Sequence, residues 1–154
     1  MNIEKTLHHR APYLLIQQVL QHSKDDLKAR SSFSGEEFFL KGHFPGMPVV
    51  PGAMMQEMTT QAAGLLLTTY YSPVPDYDSH KTQGWALGVL RAVHGARYKN
   101  FARPGDELEI SVELTDRIEQ SFRFRGKIAC GGKTIMTNEF TLVNISDESL
   151  RSHP

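Results

Sequence analysis

Between Lys41 and Asp76 the chain contains no Lys, Arg or Asp. His43 and Glu57 are the only residues in that span that carry charge or exchange protons near neutral pH. From Gly52 to about Tyr71 there is no proline, and the content is chiefly Met, Ala, Leu, Gln and Thr. This predicts a helix that is apolar nearly all round, and such a helix has to be buried. Whatever else the chain forms must cover it on several sides.

The covering material is legible further on. In "ELEISVEL", Leu108, Ile110, Val112 and Leu114 alternate with Glu107, Glu109, Ser111 and Glu113, the period-two pattern of a strand with one wet face. "SFRFRGKIAC" repeats it, with Phe122, Phe124, Ile128 and Cys130 on one side. Gly131-Gly132 suits a tight hairpin turn into a last strand, "KTIMTNEFTLVNI". "RPGDE", Arg103 to Glu107, reads as a turn ahead of these strands. Earlier, residues 2–9 suit a short helical turn. Tyr13 to Gln21 reads as a strand that "SKDD" turns into a second strand, "LKARSSFS". Ser72 to Gly84 is a polar, proline-containing loop. An antiparallel sheet wrapped around one long central helix is the economical α+β arrangement. One domain over residues 1–145 is expected, with 146–154 as a flexible C-terminal tail.

The bulk numbers narrow the function. Seventeen basic residues balance seventeen acidic ones, which gives no support for nucleic acid or a membrane surface as the main partner. No apolar run reaches the roughly 18 residues needed to span a bilayer, and the N-terminus lacks the layout of a secretory signal. Cys130 is the only cysteine, which fits a reducing cytosol. The histidines show no metal-ligand spacing.

The two ionisable residues then stand out. An ionised carboxylate in a buried helix must be paired or take up a proton. Glu57 is therefore either a protonated acid able to donate near neutral pH or a partly exposed side chain favoured by the helix dipole. Gln61 lies four residues on, on the same helical face. His43, between Gly42 and Phe44, is either a loop-corner histidine or a base. Pro51-Gly52 precedes the helix and leaves backbone N–H groups free to stabilise an oxyanion, or is a plain helix-start turn. Together a base, an acid and an N–H donor can remove a proton next to a carbonyl and expel a hydroxyl. Met54, Met58, Leu65 and Leu66 suit an acyl chain, or the core.

The segment "GHFPGMPVVPGAMMQEMTTQAAG" resembles the active-site segment of the 3-hydroxyacyl-acyl-carrier-protein dehydratase family (FabZ-type), which has the hotdog fold. His43-Phe44-Pro45-Gly46, Pro51-Gly52, Glu57 and Gln61 carry the likeness. "LHHRAPYLLIQQV", "EEFFLKGHFPG" and "ARYKNFARPGDELEI" are similar to further blocks of that family in the same order. Glu at position 57, where Asp is usual in the branch that also isomerises the double bond, resembles the branch that only dehydrates. Gln17 stands where the family commonly has an acidic residue, and Ser72 to His94, with Tyr77, Trp85 and His94, departs from its pattern.

The resemblance implies dehydration of a (3R)-hydroxyacyl thioester on acyl carrier protein to the trans-2-enoyl thioester, in fatty acid or related polyene or polyketide synthesis. It implies His43, Glu57 and Gly52 as catalytic, Gln61 and Val49 as supporting, and Phe44, Met54 and Met58 along a substrate tunnel. It also implies a cytoplasmic homodimer, or a trimer of dimers, with His and Glu of one site from different subunits, and no cofactor or metal. Arg97, Lys99 and Arg103 are candidates to steer an acidic carrier. The alternatives are a hotdog acyl thioesterase, a coenzyme-A hydratase of the same fold, and a non-catalytic acyl-binding subunit.

Overall fold

A computed structural model describes residues 1–81 and 83–152. It contains α1 (Ile3–Thr6), β1 (Gln18–His22), β2 (Asp26–Ser31), α2 (Gly52–Tyr71), β3 (Trp85–Tyr98), β4 (Leu108–Ile118), β5 (Ser121–Cys130), β6 (Lys133–Ser146) and α3 (Glu148–Arg151). The six strands form one antiparallel sheet in the order β1-β2-β4-β5-β6-β3. The sheet curls around α2, which packs against β2 through β6. This is the expected hotdog arrangement.

At 20 residues, α2 is about 30 Å long. The run from Met58 to Thr68 is buried, including the polar Thr59 and Gln61. Leu108, Ile110 and Val112 of β4 and Phe122, Phe124 and Ile128 of β5 point inward against it, as their alternation predicts. The outward residues form exposed ion pairs, among them Arg123–Glu139 at 3.1 Å and Arg30–Glu107 at 3.3 Å. Gly131 and Gly132 take φ of +55° and +79°, the conformation a two-residue turn with both central φ positive requires.

Three local readings change. The first ladder begins at Gln18, not Tyr13. Leu15 is buried in an extended segment, but side chains satisfy its backbone: its N–H donates to Gln61 Oε1 at 2.8 Å and its carbonyl accepts from Ser31 Oγ at 2.6 Å. Gln17 clamps Ser32 on both sides, donating to its carbonyl at 2.7 Å and accepting from its N–H at 3.0 Å. A carboxylate at 17 could not make the first of these bonds. Second, Trp85–Tyr98 is a long edge strand that composition did not announce. Its pairing with β6 slips at three places, so its side chains never keep a clean alternation. Third, the segment after residue 145 includes the end of β6 and one turn of helix, α3. The loop 72–84 is tied to the N-terminus, where Ser79 N–H donates to the Lys5 carbonyl at 2.8 Å.

Candidate active site

The loop before α2 is built to hold a histidine. Pro45 and Gly46 sit at the tip of a turn, with Gly46 at φ +75°, and the backbones of Phe44 and Met47 bond to each other in both directions at 3.2 and 3.0 Å. Val49 N–H donates to the His43 carbonyl at 2.9 Å, and Val50 N–H to the Ala102 carbonyl at 2.8 Å. These bonds fix both ends of the loop. The Val49 carbonyl lies 2.9 Å from His43 Nδ1. A carbonyl can only accept, so Nδ1 carries the proton and Nε2 presents a lone pair. The Phe44 ring stacks on the imidazole with centroids 4.3 Å apart.

Pro51 caps α2 without a side-chain bond. The Gly52 N–H is one of the helix-start donors left unpaired, and the helix dipole adds partial positive charge there. The Tyr98 ring lies so close over Gly52 that a Cβ at 52 would meet its Cε1 at 2.9 Å. The Tyr98 hydroxyl donates to the Gly52 carbonyl at 3.2 Å. His43 and Gly52 share a cavity of about 350 Å³ with Phe44, Val49, Met55, Tyr98, Lys99 and Phe101. Among the described residues, no acidic side chain lines it.

Glu57 lies elsewhere. Five residues from Gly52, it is turned about 140° around the helix axis, toward the N-terminal segment. Its side chain is 16% exposed. Gln61 Nε2 donates to Glu57 Oε1 at 2.9 Å and to the Tyr13 carbonyl at 2.7 Å. His9 Nε2 lies 3.3 Å from the same Oε1. Tyr13 stacks beside His9, and its phenol is held above the usual range by burial and by the adjacent Glu57 charge.

Within one chain, then, the structure joins His43, Val49, Gly52 and Phe44 at one cavity and Glu57 with Gln61 at another place. Of the expected tunnel residues, Phe44 lines the His43 cavity. Met58 is fully buried in the core and Met54 is partly buried against it, and neither lines that cavity, whereas Met55 does. Lys99 stands at the cavity and Arg97 in an open cleft on β3, β5 and β6 beside Arg123 and Arg125. The Arg103 guanidinium lies 5.5 Å over the Phe101 ring. Sequence reasoning missed His9, Tyr13 and Tyr98. The first two lie in "LHHRAPY", a block that was legible as part of the resemblance but not as part of the site. Among the described residues no group of three or more potential metal ligands occurs.

The comparisons agree with this architecture. The FabA-like domain matches residues 7–139. A 3-hydroxyacyl-[acyl-carrier-protein] dehydratase FabZ from Petrotoga mobilis is 35% identical over 129 residues, 82% of this chain and 85% of the relative. The protein of the same name from Anaeromyxobacter sp. is 34% identical over 139 residues, 90% of this chain and 84% of the relative. Among solved structures, a chain of the dehydratase heterocomplex ApeI:P from Xenorhabdus doucetiae superposes with a TM-score of 0.79 at 21% identity, covering 98% of this chain and 95% of that one. A hypothetical thioesterase with coenzyme A from Streptococcus pneumoniae gives 0.62 at 12% identity, covering 84% and 85%. These two likenesses establish the fold. The domain match over most of the chain and the two curated relatives establish the lineage: the chain belongs to the FabA-like domain family.

Proposed function

We propose that this protein dehydrates 3-hydroxyacyl thioesters carried on acyl carrier protein. His43 Nε2 takes the proton from the carbon next to the thioester carbonyl. The Gly52 N–H polarises that carbonyl and bears the charge that develops on its oxygen. Glu57 protonates the departing hydroxyl, which leaves as water, and Gln61 aims Glu57. The observation that carries the reading is the shared cavity: an oriented imidazole and an unpaired helix-start N–H face one space. Among the described residues that space has no acid of its own, so Glu57 of a second protomer completes it. The exposed edge strand β3 supports such pairing, because a free edge offers a row of backbone groups to a second copy. The family named by the curated relatives supports the substrate class and the carrier. Arg97, Lys99 and Arg103 are exposed and supply positive charge for docking. Cytoplasmic placement belongs to the same reading and rests on the lone cysteine; no helix among the described residues is long and apolar enough to cross a membrane.

The test supplies a 3-hydroxyacyl thioester on carrier protein and on coenzyme A, then follows unsaturated product and free thiol. Unsaturated product is expected, lowered about 10²–10⁴-fold by His43→Ala or by Glu57→Gln with the fold intact. Free thiol released by wild type and unchanged in His43→Ala would replace this reading with a thioesterase.

A further inference from the structure

His9 is not bonded like an ordinary structural histidine. His9 Nε2 is 3.3 Å from Glu57 Oε1, the same oxygen that Gln61 holds. Its Nδ1 is enclosed and has no hydrogen-bond partner among the described residues. Elsewhere in the chain, His43 bonds the Val49 carbonyl, His22 the Tyr70 hydroxyl and His94 the Thr141 hydroxyl. About 31% of the His9 side chain is exposed. Since Nδ1 is closed off, proton traffic through this ring runs at Nε2, the atom that faces Glu57.

The dehydration leaves a problem of protons. After one turnover His43 holds the proton taken from carbon, and Glu57 has lost its proton to the water that leaves. Glu57 needs a proton before it can act again. Its carboxylate is only 16% exposed, and Gln61, which holds it, cannot supply a proton. His9 can. We propose that His9 is the positioning residue that returns the proton to Glu57 between turnovers. The Nε2–H bond of the imidazolium breaks and an O–H bond forms on Glu57. The neutral ring regains a proton from solvent, and His43 releases one to solvent, so each cycle balances.

The other charged groups nearby do not compete for this role. Arg10 donates to the Leu7 and His9 carbonyls and to Ser79 Oγ, and a guanidinium does not give up its proton. His8 Nε2 is bonded to the Tyr77 hydroxyl. Tyr13 faces Glu57, but burial and the Glu57 charge bind its proton more firmly than in a free phenol.

This inference rests on the dehydratase reading, and the experiment separates the two. Wild type, His9→Gln, His9→Asn and Glu57→Gln are compared in a single turnover with enzyme in excess and in the steady state, with folding checked by circular dichroism. His9→Gln keeps a hydrogen-bond donor beside Glu57 but carries no exchangeable charge. Its first turnover should match wild type, while steady-state kcat falls at least about tenfold with KM unchanged, and added imidazole restores it. Equal rates in both regimes, or an equal fall in both, overturns the relay. Should Glu57→Gln complete the first turnover at the wild-type rate, the dehydratase reading itself fails, whatever His9 does.

Discussion

Gln61 joins the helix to the N-terminal segment, and replacing it should weaken the fold and the site together. Its side chain is fully buried and makes three bonds: Oε1 accepts from Leu15 N–H at 2.8 Å, and Nε2 donates to the Tyr13 carbonyl at 2.7 Å and to Glu57 at 2.9 Å. Gln61→Met keeps nearly the same volume, so packing loss is small. Leu15 is 1% exposed, so its N–H is left buried without a partner, which costs about 1–3 kcal/mol. The Tyr13 carbonyl belongs to a residue that is 41% exposed, so water can replace part of that bond. Glu57 loses a donor at a partly buried carboxylate, about another 1 kcal/mol after allowance for solvent. The sum is about 2–4 kcal/mol, a large part of a typical stability. For a chain of this size it lowers Tm by roughly 5–15 °C. Urea titration should show a lower midpoint at unchanged slope, and kcat should fall as Glu57 loses its aim. A Tm within about 2 °C of wild type would refute the argument, because it would mean that Leu15 N–H finds another partner and that the helix and the segment are not joined through this amide.

Two more expectations follow from the same structure. A Cβ at position 126 would lie 2.2 Å from Asn138 Oδ1 and 3.1 Å from Thr59 Cβ, so Gly126→Ala should destabilise by about 1–3 kcal/mol or more, read as a lower urea midpoint; an unchanged midpoint would show that Asn138 can move aside. The His8 imidazole is held below its ordinary value of 6.5, first by burial and then by the Arg10 charge. A depressed histidine contributes stability above its unfolded value and loses it as pH falls through the folded one. Wild-type Tm should therefore drop as pH is lowered below about 6.5, and His8→Gln should flatten that slope; parallel curves for the two proteins would refute it.

Much of the fold was legible because its signals are local. The apolar run from Gly52 to Tyr71 needs no partner to be read, and neither does the alternation in β4 and β5 or the Gly131-Gly132 turn. β3 was not legible for a physical reason. Most of it lies exposed along a sheet edge, and its three register slips break the period that a reader depends on. β1 starts late for another reason. Leu15 takes its hydrogen bonds from Gln61 and Ser31, and no pattern within residues 13–17 can reveal partners that lie 46 and 16 positions away.

The candidate site divides along the same line. His43, Gly52, Glu57 and Gln61 fall within 19 consecutive residues, so they stand out together as candidates and carry the family resemblance that implies their roles. Spacing also says that Gln61 can reach Glu57, since four residues make one turn, and the 2.9 Å bond follows. It cannot say that Glu57 faces away from the His43 cavity, because that depends on which side of α2 each strand covers. Nor can it place His9 beside Glu57, 48 residues on, or show that Asn138 of β6 donates to Gln56 and Thr59 beneath the same helix turn at 2.8 Å each. Those polar groups line a helix that composition describes as greasy. They fix its rotation, since turning α2 by one residue would break the bonds of Gln56, Thr59 and Gln61 at once and leave buried polar groups without partners. The rotation that they impose sends Gly52 to one cavity and Glu57 to the other side. The separation of Gly52 from Glu57 within one chain is therefore set by the polar residues of the helix, not by its apolar surface.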